Sequence, residues 1–482
     1  MTIQSDLRVP IFAMEFDPSL ATDGPSILRY NALLIGQRLS TGIRPQLKVD
    51  RVTSPEQGEL FYGLGSQLAL MIRAWFENNR GTELYCCSLD DAGAGVAASG
   101  SYVIGGTATE DGSIAFYIGG KRVAVAVTSG QTGTNVGDAL VAAMTDSLPV
   151  SGSNSVGTVT MTAKNKGEAG NDIPLLANIN SGEELPDGIT LSISAMASGA
   201  NNPSLQDVID VIGDQWYNIF CAAYVDTTNL TAIENELASR FGPLRMIDGL
   251  YCTTKRGNLS QLATFGNSRN SPHVSCPMSY AIPTSGFQMA AAYAAQIAKE
   301  GQLDPARPLQ TVELVNILAP PDVNDRFSLL ENNSLLYDGI TTLTFDNTGR
   351  TRIQRAITMY QKNALGATDE AYLDVTTMLT LMYMRYDWRN YFSTRYPRAK
   401  LADDGVQVGP GQQVMTPKLG KSEGINIFRG WERKGIVENI DQFKNDLVCE
   451  RDISDRNRLN WYAYPDLMNQ LVVGASTLFF KL

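Results

Sequence analysis

Short apolar runs alternate with helical stripes in two stretches of the chain, and a finer pattern fills the space between them. Asn31-Ala32-Leu33-Leu34-Ile35-Gly36 is apolar throughout its middle, as expected of a strand buried on both faces. Ser54-Pro55-Glu56 then predicts a helix start. Ser54 suits the N-cap, Pro55 the first turn, where no N–H is needed, and Glu56 the positive end of the dipole. Leu60, Leu64, Leu68, Met71, Ile72, Trp75 and Phe76 continue it at helical spacing, before a second buried strand over 83–88. Past residue 200 the alternation resumes. Helices over 204–213, 229–241, 258–265 and 287–298 interleave with strands over 218–225, 249–253 and 274–279. Buried strands alternating with helices predict an α/β core with a doubly wound, largely parallel sheet, built from 26–88 and 201–369.

The intervening segment, 89–200, reads differently. It is rich in glycine and holds no aromatic residue from Ile118 to Gln215. Strand patterns over 113–118 and 121–127 flank Gly119-Gly120, a good hairpin turn. Further alternation over 158–162 and 189–194, with one helix near 136–145, makes this a β-rich insertion inside the α/β domain. Four Lys and Arg stand against eleven Asp and Glu there, a net of −7, so it is expected to face outward.

Both ends look like strands without a local partner. Residues 1–25 form an N-terminal arm, where Phe12, Met14 and Phe16 alternate with Ala13 and Glu15 and no hairpin follows. Residues 463–482 form a C-terminal arm. Its last part, 469–482, is strongly strand-forming, with Leu471, Val473, Leu478 and Phe480 as the residues to be buried. An unpaired strand offers its main chain to another molecule.

Charge separates the regions further. The chain carries −11 overall, yet 370–460 has fourteen Lys and Arg against thirteen Asp and Glu. An acidic protein is a poor partner for nucleic acid or an anionic membrane. The start of the chain has no signal-type apolar core, and no apolar run approaches a membrane span, so folding in a cytoplasm is expected. The six cysteines lack C-x-x-C spacing, which reads as reduced, buried thiols.

Chemistry is hard to find. His273 is the one histidine, and it sits at a strand entry, where a structural role outweighs a catalytic one. Gly420-Lys421-Ser422 has the end of a Walker loop, but Met415 occupies its first glycine position. Gly63-Leu64-Gly65 lacks the third glycine of a dinucleotide fingerprint, which falls on Leu68. No cofactor, metal or catalytic residue is implied, and an α/β nucleotide-binding enzyme becomes the alternative of another class.

A specific resemblance begins at Asp304-Pro305-Ala306-Arg307-Pro308-Leu309-Gln310-Thr311. It continues through Asn333 to Ile340, Arg355 to Tyr360, Asp369 to Arg385, and Tyr396 to Gly405, with Asn165 to Ile173 upstream. These segments resemble contractile-tail sheath proteins, especially those of Mu-like phages. The resemblance implies a subtilisin-like core with no protease activity, an α+β C-terminal domain over 370–462 facing the tail tube, and an outward β-rich domain. It also implies hexameric rings stacked helically around the tube, terminal arms that add strands to neighbours, and contraction without nucleotide. Tail tube, baseplate and tail terminator proteins are then the partners, and the virion, assembled in the host cytoplasm, is the location. Arg395, Arg398 and Lys400 become candidate tube-facing residues. The sheath of a phage-tail-like bacteriocin or other contractile injection system is the related alternative.

Overall fold

The structure, a computed structural model, describes residues 28–346, 348–407 and 409–481. Its centre is a six-stranded sheet in the order Val274–Ser275, Leu250–Cys252, Ile219–Cys221, Asn31–Gln37, Glu83–Leu89 and Val49–Val52. The first five strands are parallel and the sixth pairs antiparallel. Leu34 lies beside Cys221 on one side and Cys86 on the other, and all three are buried. A parallel sheet with helices over its faces needs such uninterrupted apolar strands.

Helices cover both faces. Beside Gly36, a Cβ would already meet Leu68 and the Met71 sulfur, so helix Gln67–Asn78 lies close on that face. Helix Gly286–Leu303 packs beside it, its Ala-rich surface buried. On the opposite face, Leu237 and Arg240 of helix Thr227–Phe241 rest against Phe220.

The helix expected to run unbroken from Ser54 is two helices, Pro55–Tyr62 and Gln67–Asn78. Gly63 and Gly65 stand between them at φ +91° and +80°, a backbone that only glycine adopts without strain. Leu60 and Leu64, assigned to the helix's apolar stripe, are therefore exposed. The start is as expected: Ser54 Oγ accepts from Gln57 N at 3.2 Å, with Pro55 in the first turn. Ser54→Ala should lower stability by about 1 kcal/mol, read as a reduced denaturant midpoint at unchanged slope.

The insertion forms two small antiparallel sheets. One runs Ile189–Ala197, Ala97–Gly106, Thr158–Lys166, Val150–Ser155; the other runs Lys121–Val127, Gly112–Ile118, Leu175–Ala177. The hairpin turn is Gly119-Gly120, both at positive φ, joining Ile118 to its partner Lys121. Polar side chains seat the insertion on the core. Asn165 Oδ1 accepts from Gln67 N at 2.9 Å, the start of a core helix, while its Nδ2 donates to Arg38 O at 3.0 Å. Gln37 Nε2 donates to Asp91 Oδ1 and to Lys166 O, each at 2.6 Å.

The strand expected over 274–279 is two short pieces, Val274–Ser275 and Met278–Ser279, with Pro277 between them. Proline cannot donate to a ladder, so the run breaks there. A three-stranded antiparallel sheet follows, Glu313–Leu318, Arg350–Arg355, Thr342–Phe345. Beyond it the long helix Val375–Arg395 leads into the last region. There, helix Pro417–Arg433, helix Ile440–Asp446, the hairpin Val448–Arg451 with Leu459–Tyr462, and the pair Val437–Glu438 with Asp466–Leu467 pack together.

Candidate assembly surfaces

Residues 468–481 form no strand, although their sequence is strand-forming. A strand needs a partner for its main chain, and among the described residues no strand pairs with this segment. Leu471, Val473, Leu478 and Phe480 are 76, 78, 90 and 84% exposed, and Val472 and Phe479 between them are exposed as well. Both faces of the segment are thus uncovered. Its root is held: the Gln470 amide donates to Thr376 Oγ1 at the start of the long helix, and Asp466–Leu467 pairs with Val437–Glu438. Phe12, Met14 and Phe16 of the N-terminal arm lie outside the described residues.

The region from which this arm leaves is assembled by aromatic side chains. Trp388 and Phe392, on the second half of the long helix, pack against Trp461 at ring-centroid distances of 6.0 and 5.0 Å. Trp431 joins at 6.2 Å from Trp388, and Phe428 stacks on Phe443 at 4.0 Å. The hydroxyls of Tyr391 and Tyr396 both donate to the Glu423 carboxylate. Burial and that carboxylate push the Tyr396 phenol up to about 12. The hairpin Val448–Arg451 with Leu459–Tyr462 pairs with no third strand among the described residues.

The three candidate basic residues lie at and just beyond the end of the long helix. Arg395 lies over the Tyr391 ring at 4.6 Å, Arg398 is exposed, and Lys400 donates to Gln412 Oε1 at 2.8 Å from a short parallel pair with Val414-Met415. A second set of exposed basic residues was not singled out by the sequence. On helix Pro417–Arg433 the exposed positions Lys418, Ser422, Asn426, Arg429 and Arg433 fall three or four apart on one side, while Ile427, Phe428 and Trp431 are buried on the other. Lys418, Arg429 and Arg433 make no ion pair among the described residues. The polar spacing was legible in the sequence; which side would be free was not.

Where the long helix leaves the core, Arg385 Nη1 donates to Asp248 Oδ1 at 2.5 Å and to Phe241 O at 2.7 Å, its guanidinium lying over the Phe241 ring. His273 packs beside this group, 5.2 Å from the Phe241 ring. Burial, and then the Arg385 charge, lower the His273 pKa to about 4, so the imidazole is held neutral. It lies inside the fold, and its Nδ1 has no hydrogen-bond partner among the described residues.

Other clusters offer little chemistry. Among the described residues no three His, Cys, Asp or Glu side chains are grouped to hold a metal ion, and no helix is long and apolar enough to cross a membrane. Cys86, Cys87, Cys221, Cys252 and Cys276 are buried, and burial raises each thiol pKa. A 410 Å³ cleft between core and insertion is lined by Glu59, Arg73, Lys121 and Gln288, but Arg73 is already paired with Glu59.

Comparison with known proteins identifies the family. Residues 198–359 match the phage tail sheath protein central domain, and residues 367–480 match the phage tail sheath C-terminal domain. The chain belongs to the phage tail sheath protein family, and is a structural protein of the contractile tail sheath of the virion. It is 39% identical over 483 residues to the Mu-like prophage FluMu tail sheath protein of Haemophilus influenzae, covering 100% of this chain and 99% of that one. Solved structures found by fold similarity include a sheath tail protein of Desulfitobacterium hafniense, at 12% identity and TM-score 0.49, covering 95% of this chain and 100% of that one. The contracted helical sheath of the anti-feeding prophage also matches, at 11% identity and TM-score 0.46, covering 99% of each chain.

Proposed function

We propose that the chain polymerises as hexameric rings stacked in a helical tube around the tail tube, and that its terminal arms join the subunits. The observation that carries this reading is the bare arm. An apolar, strand-forming segment with a held root and uncovered faces is built to complete a sheet elsewhere, and main-chain pairing would supply affinity while alternate side chains supply register. The hairpin edges in the C-terminal region of a neighbouring copy are suitable acceptors. Head-to-tail contacts of this kind generate helical assemblies.

In this reading, 26–88 and 201–369 are a doubly wound, subtilisin-like core without catalytic residues, and 89–200 projects outward. Residues 370–462 face the tube, flanked by the arms 1–25 and 463–482. The extended sheath is a metastable packing, released at the baseplate, and contraction needs no nucleotide. Baseplate, tail terminator and tube proteins complete the set of partners. Electron microscopy of the purified chain tests the reading: tubes or rings are expected, and a monodisperse monomer at high concentration would overturn it.

Lys418, Arg429 and Arg433, more than Arg395, Arg398 and Lys400, suit a tube-facing surface. Reversing all three to Glu should leave free polysheath intact but prevent sheath from assembling on purified tube, and raised salt should weaken the wild-type contact. Tube-bound sheath of normal yield from the triple variant would remove the stripe from the interface.

A further inference from the structure

Helix Val375–Arg395 belongs to two regions at once. Its first half, from Val375 to Met384, is largely buried in the core, and its second half carries Trp388 and Phe392 into the aromatic cluster of the C-terminal region. The change of surroundings falls at Arg385. That side chain grips both ends of the core segment 241–248: the carbonyl and ring of Phe241 at one end, and the carboxylate of Asp248 at the other. One turn later, Arg389 Nη1 donates to Met246 O at 3.2 Å, within the same segment. Asp248 is buried behind this contact, and its own carbonyl accepts from Trp216 Nε1 at 2.9 Å. Just upstream of Arg385, Tyr383 accepts a hydrogen bond from Lys434 Nζ at 2.5 Å, which ties the end of helix Pro417–Arg433 to the long helix.

We infer that Arg385 is a positioning residue for sheath assembly, setting the angle of the C-terminal region on its own core through Asp248 and Phe241. The inference rests on the proposed division at about residue 370. The physical reason lies in the fork. A guanidinium can bond a carboxylate and a carbonyl in one plane while stacking its face on a ring, which fixes direction as well as distance. An ammonium supplies the charge but neither the plane nor the stacking. If arms join C-terminal regions to neighbours, a small rotation at this junction is repeated at every subunit, so the clasp decides whether the lattice is regular.

The experiment compares Arg385→Lys, Arg385→Met and Asp248→Asn with the wild-type chain. Spin labels at Gln206→Cys in the core and Gln442→Cys in the C-terminal region, with Cys449→Ala, report the intrachain distance when labelled chain is diluted into excess unlabelled chain. Wild type should give one narrow distance and tubes with sharp layer lines in their diffraction. Arg385→Lys should melt close to wild type, yet show a distance distribution at least twofold wider and tubes that lose their layer lines. Arg385→Met should do the same more strongly, and Asp248→Asn less strongly. A narrow distance in Arg385→Met overturns the inference, whether or not tubes form. So does full recovery of order by lysine, which would mean that charge alone matters. A wild-type chain that forms no tubes would instead overturn the proposed function, and the distance would still report on the clasp.

Discussion

Removing residues 469–482 is expected to leave a folded chain that forms no tubes. The fold loses little, because the segment adds no strand and its apolar side chains lie in solvent. Among the described residues, the side-chain hydrogen bond surrendered is that from Gln470 to Thr376, at the start of the long helix. Assembly loses a great deal. Covering Leu471, Val473, Leu478 and Phe480 in a neighbour is worth about 1.5–3 kcal/mol for each side chain, before the cost of ordering the arm is subtracted. A main-chain ladder is lost as well. The truncated chain should therefore melt within a few degrees of the full one, sediment as a monomer, and show no tubes by electron microscopy. Tubes of normal abundance would mean that the C-terminal arm is not the link between subunits.

The second large effect concerns two buried groups beside Arg385, which titrate in opposite directions. Asp248 is 1% exposed, and burial lifts its pKa from 3.8 to about 6 even though Arg385 pulls the other way. His273 is 4% exposed, and its pKa falls from 6.5 to about 4. Between roughly pH 6 and 4 the folded chain holds a proton on Asp248 that the unfolded chain lacks, so this group adds stability as pH falls. Over nearly the same window the unfolded chain takes a proton on His273 that the folded chain refuses, so that group removes stability as pH falls. The two oppose each other in the wild type.

Separating them should uncover both slopes. Asp248→Asn, relative to wild type, should lose about 2–3 kcal/mol between pH 7 and pH 4, since His273 then acts alone. His273→Gln should gain a similar amount relative to wild type over the same range. Denaturant unfolding at several pH values gives the comparison, and taking differences from wild type removes carboxylates common to all three chains, such as Asp346 and Asp452. Parallel curves for the three proteins would refute the opposed titrations.

Parts of the fold were legible because they depend on neighbours in sequence. Ser54 caps the helix it was expected to cap, and Gly119-Gly120 turns the expected hairpin. The buried strands at 31–37 and 83–89 were found from continuous apolar runs. Where the reading failed, the cause was a competing local rule or a distant partner. Gly63 and Gly65 ended a helix whose apolar spacing ran straight through them. The strand Ala97–Gly106 escaped notice because Ala, Ser and Gly have weak strand preference, and its pairing with Ile189–Ala197 and Thr158–Lys166 makes it a strand.

The assembly surfaces divide in the same way. That both chain ends carry strand-forming residues without a nearby hairpin partner could be read directly, since pattern and turn chemistry are local. That Leu471, Val473, Leu478 and Phe480 stay uncovered required the tertiary structure, because exposure depends on whether any distant element reaches them. The same holds for the basic side of helix Pro417–Arg433, freed only because the aromatic cluster takes the other side. Arg385 and Asp248 lie 137 residues apart and share no motif; packing the long helix across the 241–248 segment brings them together. The sequence by itself determined the buried strands, the glycine turns, the strand-forming pattern of 469–482 and the family. The tertiary structure decided that 469–481 is uncovered among the described residues and that Arg385 meets the 241–248 segment, since both depend on contacts between residues far apart in the chain.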